Sequence, residues 1–328
     1  MTGGVEVRTD TSGPYEVLWL GTGPLRLGVV PALGGRLLSL RHHGTELLWR
    51  NPALLDDRLH PASGHRPEPA SGPMANWANY GGDKTWPAPQ GWSSAREWAG
   101  PPDPVLDSGP YTARVRTGPG RASVTLESGH DPRTGLRLRR EFRVEAGTAA
   151  YDLRLTAVNA SAAPVRWALW NVAQYPGGGT VRVAVGPGFE EPVELATGTA
   201  APAWTRPRDG GTVEVPAQDV VGKLGFPGAT GRLTYTRGRH RITMDFDVHE
   251  DAAYPDGGSR AEVWMEYPLD RPLEHLGGLA PPDRIVECEA LGPWERLDPG
   301  ASTSLGIRVT VEGEGAEGVV GMEGGERA

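Results

Sequence analysis

Glu287 and Glu289 stand two residues apart in Ile285-Val286-Glu287-Cys288-Glu289-Ala290-Leu291, a short run that reads as a strand. On a strand the period of two puts both carboxyls on one face. If that face lines a cleft, carboxyls held close divide their pKa values and can serve as general acid and general base. The pattern equally fits a solvated face, with Val286, Cys288 and Ala290 as the core side. Lys84 is the second candidate: the chain carries 31 arginines but two lysines, and this one closes the turn Gly81-Gly82-Asp83-Lys84. A lysine is a compact donor that burial can shift, able to act as acid or nucleophile. Asp83 beside it could hold it charged. An exposed Asp–Lys turn of almost no energetic value is the plainer alternative. The turn lacks the G-x-x-x-x-G-K-S/T form of a phosphate loop, and no G-x-S-x-G elbow is present.

Lys84 lies within residues 76–111, a stretch holding Trp77, Trp86, Trp92 and Trp98 and a run of prolines. So much Gly and Pro predicts neither helix nor central strand, and so many aromatics argue against a disordered linker. The expectation is a long ordered loop pinned by tryptophans. Trp86, Trp92, Trp98 and, further on, Trp170 could form flat walls with an N–H handle for a ring-shaped ligand, or simply be core. Asn79, Tyr80 and Gln174 complete the expected ligand contacts. Arg96, next to Glu97, could take an anionic group or form an exposed ion pair. Thr243, Asp245, Asp247 and His249 alternate along one strand and could ligate a metal. The clean apolar face of Ile242, Met244, Phe246 and Val248 makes a solvated polar face the simpler reading, so no metal and no cofactor are expected.

The elements that must position these groups are strands. Gly 47 and Pro 31 punctuate apolar alternating segments, and helical periodicity is nearly absent in the 328 residues. Strands are expected at 15–20, 25–30, 36–40, 46–49, 111–117, 121–128, 136–144, 150–158, 165–172 and 180–185. Others follow at 212–215, 231–236, 241–248, 261–267, 284–291 and 303–311. In 136–144, Leu136, Leu138 and Arg140 oppose Arg137, Arg139 and Glu141, the alternation of an antiparallel sheet with one exposed face. One all-β domain is expected over 15–312, with a flexible N-terminus at 1–14, a loop at 53–75 and a disordered Gly/Glu-rich tail at 313–328. The net charge of −8 without a basic stripe argues against nucleic acid. Cys288, the single cysteine, excludes an intrachain disulfide. No signal-like start or membrane-length apolar run is seen, so a cytoplasmic location without a membrane partner is expected. The oligomeric state is left open.

Three pieces resemble the aldose 1-epimerase, or galactose mutarotase-like, superfamily. Pro31-Ala32-Leu33-Gly34-Gly35 through Leu40, then Gly44-Thr45-Glu46-Leu47-Leu48, is similar to its opening P-x-x-G-G and G-x-E-L-L. The strand 165–172 falls in the middle, and Ile285 to Glu289 with Leu297-Asp298-Pro299-Gly300 resembles the closing strand and L-x-P-G-E turn. The block Asn79-Tyr80-Gly81-Gly82-Asp83-Lys84-Thr85-Trp86-Pro87 looks like the DUF4380 branch of that superfamily. The resemblance spans about 15–311 and implies a β-supersandwich with a sugar-type cleft. It also implies two histidines and a glutamate as catalysts. The positions expected to supply the histidines are in 79–86 and 167–174, which hold none, and Ala301 replaces the glutamate of the turn. The resemblance therefore implies carbohydrate binding with epimerase-type proton transfer, Glu287 or Glu289 as base and Lys84 with Asp83 in place of the histidines. A binding protein without catalysis, or a cleft recruited to a biosynthetic isomerisation or cyclisation, are the alternatives.

Overall fold

The computed structural model describes residues 4–91, 94, 96–207 and 210–313. Its first strands are β1 (Glu6–Asp10), β2 (Val17–Gly21), β3 (Leu25–Val30), β4 (Arg36–His42), β5 (Thr45–Glu46), β6 (Asp83–Ala88) and β7 (Thr112–Gly118). The middle of the chain forms β8 (Arg121–Glu127), β9 (Leu136–Glu145), β10 (Ala150–Asn159), β11 (Val165–Pro176), β12 (Thr180–Val185), β13 (Val193–Thr197) and β14 (Thr212–Val215). The last are β15 (Gly222–Phe226), β16 (Ala229–Arg237), β17 (His240–Phe246), β18 (Ala261–Glu266), β19 (Ile285–Leu291), β20 (Glu295–Leu297) and β21 (Ser302–Glu312). Two antiparallel sheets face each other. The larger runs β1-β2-β3-β4-β6-β11-β19-β18-β15-β13, with β5 on β4 and β20 on β11; the smaller runs β14-β12-β16-β17-β21-β10-β9-β8-β7. The expected all-β supersandwich is the observed architecture.

The two sheets are built from different patterns. In β9 buried and exposed residues alternate without a break, so one face meets the core and the other meets solvent. β19 and β6 are buried at every position. One face of these strands packs into the sandwich with Cys288 and Ala290, and the other lies beneath loops of the chain. A strand covered on both sides loses its polar alternation, and β6 was therefore missed in the expected loop 76–111. Pro87 is tolerated there because β4 pairs with β6 only at Leu37–Asp83, leaving that edge of β6 free further along. Gly81 and Gly82, both at positive φ, bring the chain into β6; a Cβ on either would collide with the Trp49 or Leu37 carbonyl oxygen.

β1 lies inside the stretch 1–14 expected to be flexible, paired along its length with β2. Within 53–75, Leu55 and Leu59 join Val17, Trp19, Leu38 and Tyr80 in a second core on the far side of β2–β4. β5 is shorter than the expected strand 46–49. Trp92 and the tail beyond Gly313 lie outside the described residues. No helix among the described residues is long and apolar enough to cross a membrane.

Candidate functional site

A cavity of about 300 Å³ opens on the face of the larger sheet that points away from the sandwich core. The cross-strand register assembles it. Lys84 stands opposite Val172, and Trp86 opposite Trp170. Gln174 faces Glu287, which faces Trp264, which faces Lys223. Five neighbouring strands, β6, β11, β19, β18 and β15, thus present one polar and aromatic row to the cavity. Trp77, Trp86, Trp170 and Trp264 wall it, with Gln90, Lys223, Asp256, Glu266 and Glu287 among its polar lining.

Two cation centres sit side by side in this row. At the first, Lys84 Nζ lies 3.2 Å from Glu287 Oε1, and Gln174 Nε2 donates to the same oxygen at 2.6 Å. Burial pushes the Lys84 pKa down, and the Glu287 charge opposes that shift. Lys84 is 1% exposed and its ammonium lies 4.6 Å from the centre of the Trp86 ring, a cation–π contact. At the second centre, Lys223 Nζ lies 2.5 Å from Glu262 Oε2 and 2.8 Å from Glu289 Oε2, and Trp170 Nε1 donates to Glu289 at 2.5 Å. Burial opposes the Lys223 charge, but the two glutamates outweigh it and hold its pKa well above the ordinary lysine range. Burial pushes the Glu289 carboxyl well up, against the pull of Lys223.

Glu266 completes the row. It follows Trp264 by two residues on β18, accepts from Trp264 Nε1 at 2.7 Å through one oxygen, and leaves Oε2 unpartnered. Burial first and the Glu287 charge second push its pKa up to about 7. Asp256, at the cavity lining with a positive φ of 50°, is likewise pushed up to about 7 by burial and by Glu262. A non-glycine residue held in the left-handed region carries backbone strain of a kind that gathers at functional sites.

The expected site residues divide. Glu287, Trp86 and Trp170 line the cavity, while Lys84 and Gln174 hold Glu287 from behind. Glu289 shares the face of Glu287, as the period of two requires, but is fully buried beneath Lys223 and Trp170. Asp83 does not hold Lys84 at the cavity. Adjacent on a strand, the two point to opposite faces, and Asp83 reaches into the sandwich to pair with Arg140 of β9 and accept from Asn171 Nδ2 at 2.8 Å. Trp98 is fully buried behind Trp86, with ring centres 5.1 Å apart. Tyr80 belongs to the second core, bonded to His65 at 3.0 Å, and Asn79 caps the turn at Gly81. Arg96 is exposed and outside the cavity lining. Asp245 pairs with exposed Arg232, and Asp247 accepts from the Gly306 N–H. Among the described residues no group of three His, Cys, Asp or Glu side chains could hold a metal ion.

Several functional groups were missed. Lys223, Glu262, Trp264 and Glu266 stand on β15 and β18. Lys223 had a signal, since it is the chain's other lysine. Asp103 and Asp107 also went unread, though they pin the tryptophan block. Asp107 accepts from Trp86 Nε1 and Trp77 Nε1, each at 3.1 Å, and pairs with buried Arg36; Asp103 accepts from Trp98 Nε1 at 3.0 Å. Indole N–H groups removed from water need such acceptors, so Trp77, Trp86 and Trp98 in one block predicted acids nearby.

A family model described as a domain of unknown function, DUF4380, matches residues 16–308. No curated protein matches the chain in sequence. Among solved structures, a galactose mutarotase-like protein from Clostridium acetobutylicum is similar over 95% of this chain and 99% of its own, with 9% identity and a TM-score of 0.55. A galactose mutarotase-like protein from Lactobacillus casei is similar over 90% of this chain and 100% of its own, with 12% identity and a TM-score of 0.53. A TPR-domain containing protein from Parabacteroides distasonis aligns with 96% of this chain at 14% identity and a TM-score of 0.58, and the chain spans 50% of its length. At these identities the likeness is one of fold: the galactose mutarotase-like supersandwich.

Proposed function

The chain belongs to the DUF4380 family, and from that premise we propose that its cavity binds a sugar-like small molecule and moves a proton on it, in an epimerase- or isomerase-type reaction. The observation that carries this reading is the pairing of two unlike carboxyl groups in one tryptophan-walled cavity. Glu287 receives donors from Lys84 and Gln174 on one oxygen, which fix its carboxyl in place. Glu266, one strand over, is pushed up to about 7, so it both holds and releases a proton near neutrality. In this reading Glu287 is the base and Glu266 the acid of a concerted proton transfer. For an aldose, Glu287 would take the anomeric hydroxyl proton while the ring C–O bond breaks and the ring oxygen takes the Glu266 proton. Rotation of the open-chain aldehyde and reversal of both transfers return the other anomer with the residues restored. Glu266 and Glu287 replace the histidine-based arrangement, with Lys84 positioning the base.

NMR exchange spectroscopy on aldose anomers tests this directly. Glu287→Gln should slow protein-catalysed exchange by about 10²-fold or more, the scale of general acid–base catalysis, while affinity changes far less. Binding with no exchange would leave a sugar-binding protein without catalysis. Unchanged exchange in Glu287→Gln would overturn the assignment of the base.

A further inference from the structure

Acids outnumber bases in the cavity and directly beneath it. Among the described residues, Asp256, Glu262, Glu266, Glu287 and Glu289 face Lys84 and Lys223. Lys84 is matched by Glu287 and Lys223 by one of its two glutamates, which leaves the charge of up to three carboxyls unmet. Glu266 is 5% exposed and lines the cavity, and its Oε2 has no partner. A buried oxygen without a partner costs the desolvation of that group unless a ligand or proton supplies what is missing. The walls suit a cation as well. Trp86 and Trp170 already hold ammonium groups against their rings, Lys84 at 4.6 Å and Lys223 at 4.2 Å.

We propose that the ligand is an amine-bearing sugar bound as its ammonium form, its charge met by the unpartnered Glu266 oxygen against the Trp264 wall. The inference rests on the sugar reading above and narrows it. Glu266, Asp256 and Glu289 all have raised pKa values, chiefly through burial. An ammonium group entering the cavity beside Glu266 displaces the proton from that carboxyl. The charged groups facing Glu266 are Glu287 and Lys84, with Arg284 across the adjoining surface groove already paired to Asp219. Those pairs leave the Glu266 proton as the exchangeable charge.

Titration calorimetry on the full chain at about pH 6.5, where a sugar amine is already protonated, compares D-glucosamine and D-galactosamine with D-glucose, D-galactose and N-acetyl-D-glucosamine. Two buffers of different ionisation enthalpy report proton release. One amine should bind about tenfold or more tighter than its parent aldose, and only the amine should release protons. Glu266→Gln should shrink the amine-to-aldose ratio measured within that variant, so a general loss of affinity cancels. An aldose that binds as well as its amine, or an amine preference untouched in Glu266→Gln, overturns this inference and leaves the sugar reading standing. If neither amines nor aldoses bind, the sugar reading falls and this inference with it.

Discussion

Lys84 and Lys223 are the two lysines of the chain, and the fold places both on one sheet face, with the three strands β11, β19 and β18 between theirs. They are equally part of one row yet held differently. Lys84 answers to one carboxylate, Glu287, which also takes a bond from Gln174; Lys223 sits between two, Glu262 and Glu289. Burial disfavours the charge at both positions. With one neighbour it wins and the Lys84 pKa falls; with two it loses and the Lys223 pKa rises. Lys223 has two carboxylates in contact and a side chain 14% exposed against 2% for Lys84, which also has Arg36 as a like-charged neighbour. The first centre is thereby left responsive, next to the Glu287–Glu266 pair, while the second is a fixed charge that anchors β15 to β18 and β19.

The most severe way to break this contrast is Lys223→Met. It strands Glu262 and Glu289 without their cation, and loss of one partner from a buried pair costs about 3–5 kcal/mol, measurable by urea unfolding at pH 7. A loss under about 1 kcal/mol, the range of a solvated surface pair, would show that Lys223 is not the anchor described. Next comes Glu266→Gln. Because the folded pKa is raised to about 7 from the ordinary 4.5 of a glutamate, the folded chain holds a proton that the unfolded chain has released between those limits. That stability is fully present below the unfolded value and is lost as pH rises through about 7. Unfolding curves from pH 4 to 8 should show the variant gaining on the native chain by roughly 3 kcal/mol across this window, at ~1.4 kcal/mol per unit. A constant difference would mean that Glu266 titrates as an ordinary glutamate. Trp86→Phe removes one N–H from Asp107, which keeps Arg36 and Trp77; about 1–2 kcal/mol of stability should go with it. The mildest probe perturbs nothing. NMR titration of isotope-labelled lysine has only two signals to follow, and the Lys84 signal should move below the ordinary lysine range while that of Lys223 stays fixed through it. Coincident titration would erase the comparison.

Sequence pattern exposed the smaller sheet far better than the site. β9 and β10 have buried and exposed residues in alternation, and their expected bounds at 136–144 and 150–158 fall within one residue of the observed ends. β6 and β15, which carry the two lysines, were missed. Gly222-Lys223-Leu224-Gly225-Phe226 is short, holds two glycines and is mostly buried, so no alternation marks it. β6 contains a proline and follows two glycines. Strands that build a covered polar face depart from ordinary strand composition because they serve the cavity, and local rules fail first at such places. The shared face of Glu287 and Glu289 was legible from spacing alone. That Glu289 lies beneath a lysine, and that Asp83 crosses to the other sheet, depended on neighbours distant in sequence. Once 83–88 is known to be a strand, the opposite facing of Asp83 and Lys84 follows without further information.

Ring centres run from Trp77 to Trp86 at 6.3 Å, from Trp86 to Trp98 at 5.1 Å and from Trp86 to Trp170 at 5.2 Å, tilted by 40° to 65°. Chromophores so close and so inclined do not absorb independently: their transition dipoles couple, and excitation passes among them before it is emitted. Trp86, the hub of that array, is also a wall of the cavity. The chain therefore carries an unlabelled optical sensor, and a molecule resting on Trp86 or Trp170 will alter the near-ultraviolet circular dichroism of the whole cluster.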